Sequence, residues 1–312
     1  MKKVYLAAAA TSALAIAATP VMADEHHSMS VYGWVTAEVS EVDGNWDVNS
    51  GNGANSETRF GILGSRDLGA GLSADANLEY GAVRGGDGTP GLRHANAALS
   101  GDFGSVRIGQ QWNPGYLWTT ATSDIMLSGA VAGARSTDFV FRERGGIFYY
   151  TPSLGGLELA FGGNMDGTDD TSDNFDTMTV SARYSFGDLY LSATYMTVDD
   201  DNSSDVMSFA GSYDLGVVTL VGAIADLDGV GVYSTDSGTP YEVGATFSAT
   251  DELTLKLAYA DLDLDASSDS SVAVEATYAF GAGVTGFLGY AIPDDNVAGG
   301  EDILSFGVQV VF

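Results

Sequence analysis

The chain is short of several residue types, and each shortage removes a class of protein. Its 312 residues include no cysteine, which excludes disulfide scaffolds, thiolate metal sites and cysteine nucleophiles together. Lys and Arg number 12 against 42 Asp and Glu, a formal charge of −30. Nucleic-acid phosphates are bound by clustered bases, so no nucleic-acid partner is expected. The three histidines are equally uninformative for catalysis: His26 and His27 lie near the N-terminus and His94 stands alone. With no histidine set among Ser or Asp partners, no enzyme is expected. Long apolar runs are missing too, since past residue 23 none approaches the roughly 20 residues a membrane-spanning helix needs.

What remains is apolar for so acidic a chain. Hydrophobic residues make up 45% and aromatics 11%, which is too much for disorder. The N-terminus carries Lys2 and Lys3, an apolar stretch from Val4 to Ala18, and Val21-Met22-Ala23 before Asp24. This pattern reads as a secretory signal over residues 1–23. The remaining domain, 24–312, then holds ten bases against the same 42 acids, a net charge of −32.

Strict alternation recurs along that domain. Leu72, Ala74, Ala76, Leu78 and Tyr80 share one face, and Ser73, Asp75, Asn77 and Glu79 the other. Val180, Ala182, Tyr184 and Phe186 oppose Thr179, Ser181 and Arg183, while Leu253, Leu255, Leu257 and Tyr259 oppose Thr254 and Lys256. Period two is the strand period. About sixteen such segments follow one another, and the gaps between them alternate in length. Asp102-Phe103-Gly104 and Gly281-Ala282-Gly283 are tight, whereas Glu41 to Glu57 and Met165 to Asp176 are long and acidic. Turns on one side and loops on the other, with aromatics ending the apolar faces, predict an all-β transmembrane antiparallel barrel of about 16 strands. A soluble sandwich would not sort its turns by side, and a β-helix would need a fixed repeat.

Three segments carry a resemblance to a family. The chain ends Phe306-Gly307-Val308-Gln309-Val310-Val311-Phe312, residues 104–114 read GSVRIGQQWNP, and Tyr149-Tyr150-Thr151-Pro152 opens a later turn. In this order they resemble the Gram-negative general-diffusion porins. The resemblance implies a trimeric outer-membrane barrel whose third loop, here 113–145, folds inward. It also implies contact with outer-membrane lipid and recognition of Phe312 by the barrel-insertion machinery, while acidic clusters such as Asp199, Asp200 and Asp201 would bridge through divalent cations to lipopolysaccharide phosphates. The acidic PEFGG-type stretch of the enterobacterial third loop is not evident here. Small residues on early outer faces, such as Ala95 and Ala97, suit protein contact between copies.

A sixteen-strand barrel encloses water, so the expected function is passive diffusion of ions and small hydrophilic solutes. Parity points Arg59, Arg107, Arg183 and Lys256 inward and Arg93 outward. The resemblance sets such wall cations against carboxylates of the third loop, here Asp124, Asp138 or Glu143, across the narrowest point. The run Asp261, Asp263, Asp265 suggests an EF-hand, but Ala266 stands where the loop needs Gly and Val272 where it needs Glu. No firm metal site or cofactor is expected, only loose Ca2+ at acidic loops. Acidic mouths concentrate cations, so the expected preference is for cations. Two other readings stay open. One is a substrate-specific channel with Tyr32, Trp34, Trp112, Tyr116 and Trp118 as an aromatic track, and the other is a non-conducting structural or adhesive barrel.

Overall fold

The computed structural model describes residues 19–23, 27–49, 57–81, 90–130, 142–165, 175–198, 204–229, 237–263, 270–294 and 301–312. Sixteen antiparallel strands close into a barrel. They are β1 His27–Val42, β2 Arg59–Gly69, β3 Leu72–Gly81, β4 Gly91–Gly101, β5 Gly104–Trp112, β6 Gly146–Tyr150, β7 Leu157–Asn164 and β8 Thr177–Phe186. The second half comprises β9 Leu189–Val198, β10 Asp205–Asp214, β11 Val218–Asp228, β12 Tyr241–Ser248, β13 Leu253–Asp261, β14 Ser270–Gly281, β15 Val284–Pro293 and β16 Ile303–Val311. Each strand pairs with its successor. The seam is closed by β16 on β1, from Ile303 opposite Val42 to Val311 opposite Trp34, and extended by two hydrogen bonds between Gly33 and Phe312. A short strand, Thr19–Ala23, pairs with Ser28–Val31 on the same edge of β1. No described helix is long and apolar enough to cross a membrane; the strands do that.

Alternation converts directly into two surfaces. Along β8, Met178 and Val180 are exposed on the outside while Thr179 and Ser181 are buried inside. The same division holds for Leu255 and Leu257 on β13, and for Phe306, Val308 and Val310 around buried Ser305 and Gln309 on β16. Outward apolar side chains meet lipid, so their exposure in the isolated chain is what a barrel requires. Aromatic pairs mark both rims. Tyr184 with Phe186 and Tyr278 with Phe280 lie towards the tight turns, and Phe60 with Tyr80 and Tyr241 with Tyr259 towards the long loops. The tight turns need left-handed backbone, supplied at Gly69-Ala70-Gly71 and Gly281-Ala282-Gly283, where all six residues have positive φ.

The channel interior as candidate functional site

The loop segment after β5 runs along the inside of the wall, and its hydrogen bonds trace the route. Asn113 Nδ2 donates to Thr179 of β8 at 2.9 Å, and Thr119 meets Thr194 of β9 at 3.1 Å. Tyr190 of β9 donates to the Trp118 carbonyl at 2.7 Å, and Ser123 donates to Glu242 of β12 at 3.0 Å. Leu127 and Ser128 donate their backbone amides to Glu275 of β14, the latter at 2.6 Å. Gly129 donates to Glu38 of β1 at 3.0 Å. From residue 113 to residue 129 the chain thus passes from β8 round to β1. Its small residues permit close approach: Ile125, Met126 and Ala130 pack on a wall of Val221, Ala258, Ala260, Ala273 and Ala291. At Gly289 a Cβ would stand 2.2 Å from Ser128 Oγ.

The expected wall cations all point inward, and the carboxylates holding them come from the wall. Arg107 donates to Asp75 at 2.7 Å and to Asn96 at 2.6 Å. Arg183 donates to Glu158 at 2.7 Å and lies 4.6 Å over the Trp118 ring. Lys256 donates to Glu275 and to the Ile125 carbonyl, both at 2.7 Å. Arg59 is buried, 4.3 Å over Trp34 and 3.9 Å from Glu79. Of the three loop carboxylates expected opposite them, Asp124 follows the short helical turn Ala121–Ser123. Glu143 pairs by backbone with Gln111, while its side chain and the whole of Asp138 lie outside the described residues. Asp261 accepts hydrogen bonds from Tyr259 at 3.0 Å and from the Asp263 amide at 3.1 Å, and Asp265 lies outside the described residues.

One parity reading fails. Arg93 points inward, donating to Glu79 at 2.7 Å and to Glu57 at 2.5 Å. The cause is a β-bulge: Glu79 pairs with His94 but Tyr80 with Leu92, leaving Arg93 as the extra residue. A bulge breaks strict alternation, so Arg93 and His94 both face the interior, and both are buried. With Arg59 and with Arg142, which lies 4.8 Å over Trp112, Arg93 forms a basic cluster where the loop leaves and rejoins the wall. Trp112 stacks on Tyr116 at 4.6 Å and takes the His94 edge at 5.2 Å, so these aromatics pack the loop to the wall rather than belonging to a lipid-facing belt. The anchoring carboxylates Glu38, Glu242 and Glu275 lie outside the expected set, although their inward parity beside a loop rich in Ser, Gly and Ala is a usable signal.

Comparison with known proteins agrees with this architecture. The model of the Gram-negative porin family matches residues 7–296. Outer membrane porin protein 32 of Delftia acidovorans is 28% identical over 241 residues, covering 68% of this chain and 67% of that one. Among solved structures, an anion-selective porin from Comamonas acidovorans superposes with a TM-score of 0.74 at 22% identity, covering 92% of this chain and all of that one. Salmonella typhi OmpF, in complex with daunomycin, gives 0.74 at 17% identity, with 93% and 99% covered. The trimer form of OmpT from Vibrio cholerae gives 0.70 at 14%, with 92% and 100% covered. By its family match and its closed barrel, the chain belongs to the Gram-negative porins, non-enzymatic β-barrel channels of the outer membrane.

Proposed function

We propose that the protein is a homotrimeric channel through which ions and small hydrophilic solutes diffuse passively, with a net preference for cations. The observation that carries the channel is the interior itself: a polar inner face, with the loop lying along the wall on hydrogen bonds from β8 to β1. Charge carries the preference. Among the described wall and loop-end residues joined by these contacts, Arg59, Arg93, Arg107, Arg142, Arg183 and Lys256 stand against Glu38, Glu57, Asp75, Glu79, Glu158, Glu242 and Glu275, six against seven. The wall is therefore near balance, and the surplus of acids elsewhere in the chain sets the field at the mouths.

A second reading has a specific observation behind it. Arg59, Arg93 and Arg142 concentrate positive charge at one place, and a structural relative is titled anion-selective. Reversal potentials across planar bilayers in a KCl gradient separate the two. A potential of the cation-selective sign supports the first reading, and the opposite sign establishes the second. The trimer is supported by the OmpT trimer form and is checked by conductance steps in groups of three. The signal reading requires mature protein beginning at Asp24, without the Thr19–Ala23 strand, and intact mass tests it. Loose Ca2+ at the acidic loops, and through it lipopolysaccharide phosphate, would appear as Ca2+-dependent retention of lipopolysaccharide by the purified barrel.

A further inference from the structure

The tip of the loop segment rests on a patch of inner wall that carries more negative than positive charge. Glu275 of β14 and Glu38 of β1 are both buried, and among the described residues Lys256 alone pairs with either of them. Glu275 is fully engaged, since it receives the Leu127 and Ser128 amides as well as Lys256 Nζ. Glu38, 2% exposed, receives one hydrogen bond from the described residues, the Gly129 amide at 3.0 Å. A carboxylate taken out of water without a counter-charge is costly, which is why buried charges are found paired or coordinated to metals.

Two hydroxyls in the same seat are also unanswered. Ser305 of β16 and Ser128 of the tip are 0% exposed, and neither Oγ has a hydrogen-bond partner among the described residues. Ser305 lies two positions from Gly307, the residue opposite Glu38, and its hydroxyl stands beside that carboxylate. Ser128 Oγ sits over Gly289, 2.2 Å from where a Cβ would be, and Gly289 is the residue opposite Ser305. Register and the bare Gly289 therefore gather oxygens from β1, β16 and the tip. A serine proton turned towards Glu38 would still leave its charge unmatched. The set has the make-up of a cation site, oxygen ligands with one formal charge to balance. Ca2+ draws on six to eight oxygens, commonly from several carboxylates, and here Glu275 is committed to Lys256 and two amides.

We propose that Glu38, Ser305 and Ser128 form a site for a partly dehydrated monovalent cation, Na+ or K+, that ties the loop tip to the β16–β1 seam. The ion neutralises Glu38, answers both hydroxyls and joins the tip to the strand pair that closes the barrel. Order at the tip then depends on the cation present as well as on the amides that Glu275 holds.

The test uses the whole purified protein in detergent and reads hydrogen exchange, so it stands apart from any measurement of current. NaCl is titrated against choline chloride at constant ionic strength and neutral pH. Protection of the Ser128 and Gly129 amides should rise as 1 + [Na+]/Kd, about tenfold once [Na+] is about ten times Kd, and choline should give no rise. Glu38→Gln keeps an acceptor for the Gly129 amide and should abolish the Na+ response. Ser305→Ala should raise the half-saturating Na+ concentration about fivefold to tenfold, the loss of one neutral ligand, and serves if Glu38→Gln does not assemble. Crystals soaked in thallous acetate should show an anomalous peak beside Glu38 and Ser305. Protection indifferent to Na+, or raised equally by choline, overturns the site, as does a map without the thallium peak. Protection that rises on acidification with no Na+ response makes a proton the counter-charge and refutes the metal. Saturation by Ca2+ with Na+ silent refutes the monovalent class.

Discussion

Glu275→Gln is the sharpest probe of how the loop is held. The carboxylate is buried and receives the Leu127 amide at 2.9–3.0 Å, the Ser128 amide at 2.6 Å and Lys256 Nζ at 2.7 Å. A glutamine keeps one acceptor oxygen, turns the other position into a donor facing donors, and removes the charge. The Leu127 amide reaches both oxygens, so whichever one remains still accepts from it and one of the other two bonds is lost; at about 1.5–3 kcal/mol for a hydrogen bond to a charged group, the hold on the tip weakens by about that amount. At a factor of ten per about 1.4 kcal/mol, local opening at 127–129 becomes roughly tenfold to 100-fold more frequent. The barrel persists, because β13, β14 and β15 are joined by backbone pairing. Hydrogen exchange read at Leu127 and Ser128 measures the opening, and single-channel noise and voltage-dependent closure measure its consequence. Glu242→Gln is the comparison at another point of the same loop, where one oxygen can still accept from Ser123. If Glu275→Gln leaves both amides as protected as in the parent and the current as quiet, the carboxylate does not anchor the loop.

Three further outcomes follow from the same geometry. Gly289→Val places carbon where Ser128 Oγ is only 2.2 Å away, so it should displace the tip and alter unitary conductance, with Ser128→Gly partly restoring it; unchanged conductance would show that the tip lies elsewhere. Arg93→Gln removes a buried cation held by Glu57 and Glu79, leaving negative charge, and should move the reversal potential towards cations; a shift towards anions contradicts its inward position. Deleting Phe312 removes the two hydrogen bonds to Gly33 and an outward apolar anchor, and should lower the yield of assembled, heat-resistant barrel in outer-membrane fractions.

The barrel was legible because its signal is redundant. Each strand repeats the same alternation, so an error in one does not move its neighbours, and Thr179, Ser181 and Arg183 fall inside by counting alone. The interior was only partly legible, because its contacts depend on single residues that break the count. Arg93 is the instructive case: one extra residue opposite the Glu79–Tyr80 step turns a side chain from lipid to lumen. Nothing in the composition of β4 announces that bulge. Arg93 adjoins Leu92, which pairs with Tyr80 at the aromatic rim, and there an outward arginine costs only about 0–1 kcal/mol, so energetics alone would not have exposed the bulge. The expected partners show a related limit. Parity correctly aims Arg107, Arg183 and Lys256 inward, but which carboxylate meets each depends on register between strands. Asp75 lies on β3, two strands from Arg107 on β5, whereas Glu158 and Glu275 sit directly across from Arg183 and Lys256. Cross-strand opposition of unlike charges is a pairing rule that a register guess could have used. Applied to β7–β8 and β13–β14, it places both ion pairs, Arg183 with Glu158 and Lys256 with Glu275, on the inner face from the alternation alone.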